Sequence, residues 1–229
     1  MAALRFGPAG VPNSAKKPTT PDGIRRCREL GLGCMEMEFV QRVSMGEETA
    51  REVAVVAAEA DIVLSSHAPY YVNLNSAEEQ KVIDSVKRIM QAARITALCG
   101  GTGTVFHAAF YQGTAAQAVY DTVKGHLQRM RADLGAEGFT IALRPETTGK
   151  ESQFGTVDEL LRLSVEIPAC CRASTSATFM PAQAAPTTPT TSSWLCCSRL
   201  NACSAAPVST TCTSTSPASP TQRRASGIT

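Results

Sequence analysis

Short apolar runs alternate with longer amphipathic runs from Leu4 to about Ile167. The short runs have the length of β-strands, and turn-forming or polar residues separate them from the longer ones. The predicted strands are Leu4 to Phe6, Cys34 to Phe39, Asp61 to Ser66, Thr104 to His107 and Thr140 to Leu143. This order is typical of repeated βα units, in which helices connect the strands of a parallel sheet.

The longer runs carry apolar side chains at helical spacing. These side chains are Ala50, Val53 and Ala57 between Glu47 and Ala60, then Val82, Val86, Ile89 and Ala93 after Ser76, and finally Val119, Val123, Met130 and Leu134. Ser76 is predicted to begin the second helix, because its hydroxyl can cap unpaired amides and the acidic residues that follow suit the helix dipole.

The composition changes after Pro168. All 20 acidic residues of the chain lie at or before Glu166, and residues 169–229 contain no Asp, Glu, Lys, His or Tyr. A segment of this kind buries too little apolar surface to offset the entropy of ordering it. We therefore expect one folded domain over residues 1–168 and a low-complexity, disordered tail over 169–229, with a Pro/Thr-rich linker as the alternative.

The sequence argues against secretion and membrane insertion. No charged stretch followed by an apolar run opens the chain, and it contains no run of about 18 apolar residues. Only three cysteines, Cys27, Cys34 and Cys99, precede the change in composition, and their spacing does not suggest a disulfide framework. A cytoplasmic protein is expected.

Two of the three histidines end predicted strands. His67 follows the strand that begins at Asp61, His107 closes the next strand, and Glu146 lies just past the strand after that. The carboxyl ends of the strands of a parallel barrel share one rim, so these side chains can converge there as two nitrogen ligands and one oxygen ligand for zinc. The alternative is a structural hydrogen-bonding role for each histidine, and His126, inside a predicted helix, is expected at the surface.

Two glycine-containing segments look superficially like phosphate-binding loops. The run from Cys99 to Gly103 precedes a strand instead of linking a strand to a helix, and Gly149-Lys150 lacks the upstream glycine of that motif. We interpret the first segment as a helix-terminating turn.

Five separated segments resemble endonuclease IV, particularly its archaeal-type homologues. They are Leu4-Arg5-Phe6-Gly7-Pro8-Ala9-Gly10, Met35-Glu36-Met37-Glu38-Phe39-Val40-Gln41, Ser66-His67-Ala68-Pro69-Tyr70-Tyr71-Val72-Asn73-Leu74, Gly103-Thr104-Val105-Phe106-His107 and Leu143-Arg144-Pro145-Glu146-Thr147-Thr148-Gly149-Lys150. They occur in the order and spacing of the first five strands of that family. The resemblance covers residues 3 to about 168.

The resemblance implies an incomplete (β/α)8 TIM barrel of about five βα units. It also implies a monomeric, zinc-dependent endonuclease that cuts DNA on the 5′ side of abasic sites. Of the three zinc ions in that family, His67, His107 and Glu146 would hold one, and Glu146 would also bridge towards a second as part of the catalytic centre. Tyr70 would contact DNA at the lesion; the alternative is that it simply covers the barrel rim.

The remaining ligands of that family would lie beyond Pro168, where the written sequence has neither histidine nor acid. Shifting the reading frame back by one nucleotide changes this. Residues Arg172 to Pro181 then permit Cys-Ile-Asp-Phe-Ser-His-Leu-His-Ala, and Val208 to Thr221 permit Leu-Asp-Asn-Met-His-Ile-His-Val-Ser-Gly-Ile-Ala-Tyr. Both stretches resemble later metal-binding strands of the family, so a frameshift is inferred.

Two rival interpretations remain. Metal-dependent sugar isomerases and epimerases share this barrel type and also use His and Glu ligands at the rim. Alternatively, the written chain is a truncated product without catalytic activity that retains one partial metal site.

Overall fold

The computed structural model describes residues 4–167, which form a parallel α/β layer. Four strands alternate with five helices in this part of the chain. In order they are α1 (Thr20–Glu29), β1 (Cys34–Glu38), α2 (Glu47–Ala60), β2 (Val63–His67), α3 (Glu79–Leu98), β3 (Gly103–Phe106), α4 (Ala116–Ala136), β4 (Ala142–Pro145) and α5 (Val157–Glu166).

The sheet is parallel and its spatial order, β1-β2-β3-β4, follows the chain. Because right-handed crossovers that always advance in one direction place every helix on the same face, such a sheet curves into a barrel wall. A doubly wound sheet would instead reverse its strand order at one point. The topology therefore agrees with the predicted succession of βα units.

The two faces of the sheet have different chemistry. Met35, Leu64, Phe106 and Leu143 lie on the helix-covered face and are fully buried in one apolar core. Glu38, His67, Val105 and Arg144 occupy one row of the other face, since each pairs in register with the next. The second face corresponds to the interior of a barrel and carries the charged side chains of the strands.

Buried hydroxyl groups join β2 and β3 to α3. The Oγ of Ser66 lies 2.6 Å from the Oγ1 of Thr96 and 3.1 Å from the Oγ1 of Thr104. Thr96 also donates to the carbonyl of Ala92 at 2.7 Å. Each hydroxyl has a partner, so burial of these polar groups carries little net cost.

The predicted strand Leu4 to Phe6 is wrong. The residues run beside β1, where Gly33 N donates to Phe6 O and Glu36 N donates to Pro8 O, but the segment forms only an isolated bridge between Ala9 and Glu36. Pro8 has no N–H, so the ladder cannot continue through it.

One helix begins later than expected, and two helices were not predicted. The second predicted helix begins at Glu79 instead of Ser76, because the Ser76 hydroxyl closes a local turn with the amide of Glu78. Helices α1 and α5 were not predicted, although Thr156 and Glu159 form a capping box that the sequence contains. The glycine-rich turn is confirmed: α3 ends at Leu98, and Gly100 follows with φ of +72°.

Residues 169–229 lie outside the described residues. The predictions of a disordered tail and of a shifted reading frame both concern that segment. They stay predictions.

The carboxylate of Glu166 joins α5 to α4. It lies 2.7 Å from Lys124 Nζ, and it accepts hydrogen bonds from Arg162 Nε at 2.8 Å and from the Tyr120 hydroxyl at 3.0 Å. The hydrogen bonds from Lys124 and then Arg162 are the main reasons why the pKa of Glu166 falls from 4.5 to about 2.

Replacing Glu166 with Gln is expected to lower the urea midpoint at pH 7. Because the folded-state pKa is depressed, the stabilisation is complete above about pH 4.5 and disappears as the pH falls towards about 2. The difference between the two proteins should therefore shrink over that interval. Glu59→Gln is the control, since Glu59 is exposed and makes no ion pair within residues 4–167; a pH-independent difference for Glu166→Gln would contradict the assignment.

Candidate metal centre

His67 is the last residue of β2 and is held in a defined orientation. Its Nδ1 lies 2.7 Å from the carbonyl oxygen of Ala68, and its Nε2 lies 3.2 Å from Oε2 of Glu146. A carbonyl oxygen can only accept, so Nδ1 donates to Ala68, and the contact with Glu146 is a hydrogen bond when Nε2 also carries a proton; in the neutral ring Nε2 is the nitrogen that has a lone pair. This is the arrangement that prepares a histidine for metal binding.

His107 follows β3 and approaches the same carboxylate. Its Nε2 lies 3.7 Å from Oε2 of Glu146, and the ring centroids of the two histidines are 5.5 Å apart. Its Nδ1 is buried without a hydrogen-bond partner among residues 4–167. Nε2, the nitrogen that faces Glu146, is therefore the one placed to share a ligand with that carboxylate.

Glu146 follows β4, and its side chain is buried between the histidines. One ligand atom from each of His67, His107 and Glu146 can be chosen so that all three lie within 4.8 Å of one another. The structure thus brings together the three side chains that the strand ends suggested. Two imidazoles and one carboxylate fit a zinc ion with a position left open.

The pKa values of the two histidines are shifted in opposite directions. Burial acts to lower the pKa of His67, but the hydrogen bonds to Glu146 and Ala68 outweigh it and raise the pKa above 6.5. Burial lowers the pKa of His107 below 6.5, against the attraction of the Glu146 charge. Metal binding requires both rings to be neutral at the coordinating nitrogen, so it would release the proton that His67 shares with Glu146.

The loop after β4 packs against the backbone of Glu146. A Cβ on Gly155 would lie only 2.5 Å from the carbonyl oxygen of Glu146, and the φ of +135° at Gly155 is one that other residues rarely adopt. The amide of Thr148 also donates to Gly155 O at 3.2 Å. Glycine is therefore needed at 155, because a side chain there would collide with the Glu146 backbone.

Gly155→Ala is expected to displace Glu146 and to weaken zinc binding by roughly tenfold or more, as when other groups that orient a ligand are lost. Gly138→Ala is the matched control: Gly138 has φ of +82°, and a Cβ added there would meet no atom of the described residues within 4 Å. Both variants carry backbone strain, but only the first should lose affinity in a competition titration with a chromogenic chelator. An equal loss in both would contradict the role of Gly155.

The loops after β2, β3 and β4 are tied together at the rim. Asn73 Oδ1 accepts from the amides of Asn75 and Phe110, and Asn75 Nδ2 donates to Phe110 O. Tyr111 N donates to Ser152 O. These contacts give the three ligand-bearing strand ends a common support.

Tyr70 lies beside the cluster. Its side chain is 50% exposed, and its ring centroid lies 5.2 Å from that of His67. Burial raises the pKa of Tyr70, and the nearby charges of Glu38 and Glu146 add to the effect. Tyr70 thus lies at the exposed edge of the cluster, and its DNA contact stays a prediction.

Glu36 and Glu38 lie near the cluster, and the chemical reasoning from sequence did not single them out. They line an open cleft of about 480 Å³ with Phe39 and Gly46. The charge of Glu36 contributes to the raised pKa of His67, while Ser65 Oγ donates to Glu36 Oε2 at 3.3 Å. The alternation Met35-Glu36-Met37-Glu38 signals that the two carboxylates share a face, but not that this face is the interior.

His126 does not join the cluster. It lies on α4, where it is partly exposed and is not among the buried residues of that helix, so it lies at the surface as predicted. Burial, with a contribution from Arg129, lowers its pKa.

Within residues 4–167, no helix combines the length and the apolar character that crossing a membrane requires.

Comparison with known proteins gives the same architecture. An uncharacterized protein of Methanocaldococcus jannaschii is 42% identical over 164 residues, which are 72% of this chain and 58% of that protein. Endonuclease IV from Thermus thermophilus matches with a TM-score of 0.57 at 19% identity, covering 72% of this chain and 60% of the other. The 3-keto-D-glucoside 4-epimerase from E. coli matches with a TM-score of 0.53 at 18% identity, covering 72% and 66%.

The chain therefore spans less than two thirds of the first two proteins, and the low identity to the solved structures supports only a shared fold. The family model described as xylose isomerase-like TIM barrel matches residues 24–171. The chain belongs to the xylose isomerase-like TIM-barrel family, which confirms the predicted fold class.

Proposed function

We propose that this chain is the amino-terminal part of a zinc-dependent endonuclease that hydrolyses the DNA backbone 5′ to abasic sites. The observation that carries the proposal is the convergence of His67, His107 and Glu146, with ligand atoms within 4.8 Å of one another. The structural similarity to endonuclease IV over 72% of this chain supports it.

Each residue has a separate task in this proposal. His67 and His107 would hold the ion through ring nitrogens, and Glu146 would hold it through a carboxylate oxygen. The Ala68 carbonyl keeps Nε2 of His67 free to coordinate. A divalent ion in such a site acts as a Lewis acid towards a phosphodiester and makes water acidic near neutral pH.

Tyr70 would meet the DNA, since it is half-exposed beside the cluster and is carried by the loop that starts at the metal ligand His67. An aromatic ring at this place can fill the space where a base is missing. Its hydroxyl is neutral near pH 7, as that of an ordinary tyrosine is, and burial and acidic neighbours raise its pKa further.

We also propose that the chain as written is inactive and that its segment after Pro168 is read in a shifted frame. A multi-zinc site needs further histidine and carboxylate ligands, and the written segment supplies neither residue type. Sequencing the nucleotides that encode Pro168 to Arg172 tests this directly. If these nucleotides encode the written sequence without a shift, the proposal that metal ligands were lost is wrong.

Activity is best tested on two proteins, the chain as written and the chain with its frame restored. Each is stripped of metal, supplied with zinc or manganese, and given either a duplex with one abasic site or a ketose. The proposal expects zinc-dependent nicking by the restored chain alone. Ketose epimerisation without nicking would favour the sugar-epimerase alternative, which the similarity to 3-keto-D-glucoside 4-epimerase keeps open.

A further inference from the structure

The ring of His107 is not fixed by a hydrogen bond of its own within residues 4–167. Its Nδ1 has no hydrogen-bond partner there, and its Nε2 lies 3.7 Å from Oε2 of Glu146, which is too far for a hydrogen bond. The ring of His67, by contrast, is held by the carbonyl oxygen of Ala68 at 2.7 Å. The position of His107 therefore depends on how the backbone around it is held.

Two asparagine side chains from the loop after β2 hold the backbone that follows His107. Phe110 N donates to Oδ1 of Asn73 at 3.2 Å, and Nδ2 of Asn75 donates to Phe110 O at 2.9 Å. Both bonds reach the residue three positions after His107. The loop that begins at His67 thus fixes the loop that begins at His107.

Main-chain hydrogen bonds hold the same segment as well. Leu74 N donates to Ala108 O at 2.9 Å, and Phe154 N donates to Ala109 O at 3.0 Å. These bonds use groups that every residue except proline has, so they do not depend on the side chain at either position. The asparagine side chains are the part of this contact that a substitution can remove.

The partners of the two amide groups fix their orientation. Oδ1 of Asn73 accepts from two backbone N–H groups, that of Asn75 at 3.0 Å and that of Phe110 at 3.2 Å. Nδ2 of Asn75 faces two carbonyl oxygens, that of Phe110 at 2.9 Å and that of Tyr111 at 3.5 Å. A backbone N–H only donates and a carbonyl oxygen only accepts, so Asn73 acts as an acceptor and Asn75 as a donor.

Asn73 is itself attached to a helix. Its backbone N–H donates to Oγ of Ser85 at 3.0 Å, and Ser85 is buried in α3. The Ser85 hydroxyl donates in turn to the carbonyl oxygen of Lys81, one helical turn earlier, at 2.6 Å. The acceptor that holds Phe110 is therefore fixed to an element of the core, which positions a site more accurately than a free loop does.

We infer that Asn73 and Asn75 are positioning residues for the metal centre, which place His107 by holding the backbone that follows it. The inference rests on the proposed metal centre but not on the cleavage of DNA. It predicts opposite effects of one substitution at the two positions. Asn73→Asp keeps an oxygen that accepts both N–H groups, whereas Asn75→Asp removes the donor and puts a negative charge against the carbonyl oxygen of Phe110.

Zinc competition titrations of the full written chain test the first consequence. Asn73→Ala and Asn75→Asp should each lose roughly tenfold or more in zinc affinity, as when other groups that orient a ligand are removed. Asn73→Asp should bind zinc nearly as well as the unchanged protein. Asn13→Asp is the control for the added charge, since Asn13 is exposed and makes no side-chain hydrogen bond within the described residues; equal losses in Asn73→Asp and Asn75→Asp would overturn the inference.

Imidazole nitrogen resonances of the metal-free protein, recorded by NMR at one fixed pH, test the second consequence. Asn73→Ala and Asn75→Asp should move the signals of His107 and leave those of His67 in place, a selectivity that a general loss of stability would not produce. His107 signals that neither variant moves would overturn the inference. If Asn75→Asp does not fold, Asn75→Ala takes its place in both measurements with the same expected direction, because it removes the donor without adding a charge. The NMR measurement needs neither zinc nor DNA, so the proposed function can fail separately.

Discussion

Replacing Glu146 with Gln is expected to weaken zinc binding by at least about 100-fold and to remove abasic-site cleavage by the frame-restored protein. Loss of groups that merely orient a ligand already costs about 10- to 100-fold in affinity. Glu146 is closer to the ion than such groups, because it would coordinate directly. The amide keeps the shape of the side chain but lacks the negative charge that both histidines face.

The measurement is a zinc competition titration paired with a nicking assay on an abasic duplex. Glu151→Gln is the matched control, because Glu151 lies exposed in the same loop and makes no ion pair within residues 4–167. It should retain both properties. Unchanged zinc affinity in Glu146→Gln, or full cleavage by metal-stripped protein, would refute the assignment.

Phe106→Ala is expected to have the largest effect on stability. The side chain is fully buried on the helix-covered face of β3, directly before His107. Emptying such a site typically costs about 3–5 kcal/mol, because transfer free energy is lost and a cavity remains. That is a large part of the roughly 5–15 kcal/mol by which domains are stable.

Val165→Ala serves as the comparison, since Val165 is 83% exposed on α5. Its free energy of unfolding should change by no more than about 0.5 kcal/mol. Urea unfolding monitored by circular dichroism measures both variants. Similar losses in the two would mean that the described core does not carry the stability of the domain.

Much of the fold could be predicted from periodicity. The helix Glu47–Ala60 was predicted with its observed bounds, because Ala50, Val53 and Ala57 mark one buried face. In the structure the helix ends where Asp61 adopts a left-handed conformation. The strand ends shifted by one or two residues, since an apolar run does not show where pairing stops. The pairing partners decide where a strand begins and ends. Strand β2, for example, begins at Val63, which pairs with Cys34 at the start of β1.

The failures have local causes. Pro8 interrupts the ladder of the first predicted strand, although the resemblance and the apolar residues favoured it. The segment Thr19-Thr20-Pro21 looks like a turn, yet Thr19 caps α1 through the amide of Asp22. Only two large apolar side chains of that helix, Ile24 and Cys27, are buried, which is too short a pattern to be recognised.

The composition of the cluster was predictable because parallel strands end at one rim, which brings His67, His107 and Glu146 together. The hydrogen bonding of its side chains was not predictable. The hydrogen bond from His67 to Ala68 and the lack of a partner for His107 Nδ1 within residues 4–167 depend on ring orientation, which spacing does not encode. The contact between the Arg144 side chain and Gly103 likewise forms only once β3 and β4 are paired.

X-ray absorption at the zinc edge of the written chain, loaded with one equivalent of zinc, tests the central claim most directly. The account predicts nitrogen and oxygen neighbours at about 2.0–2.1 Å, with an imidazole signal that weakens in His107→Ala. Sulfur neighbours at about 2.3 Å, or a spectrum that His107→Ala leaves unchanged, would contradict a centre built from His67, His107 and Glu146.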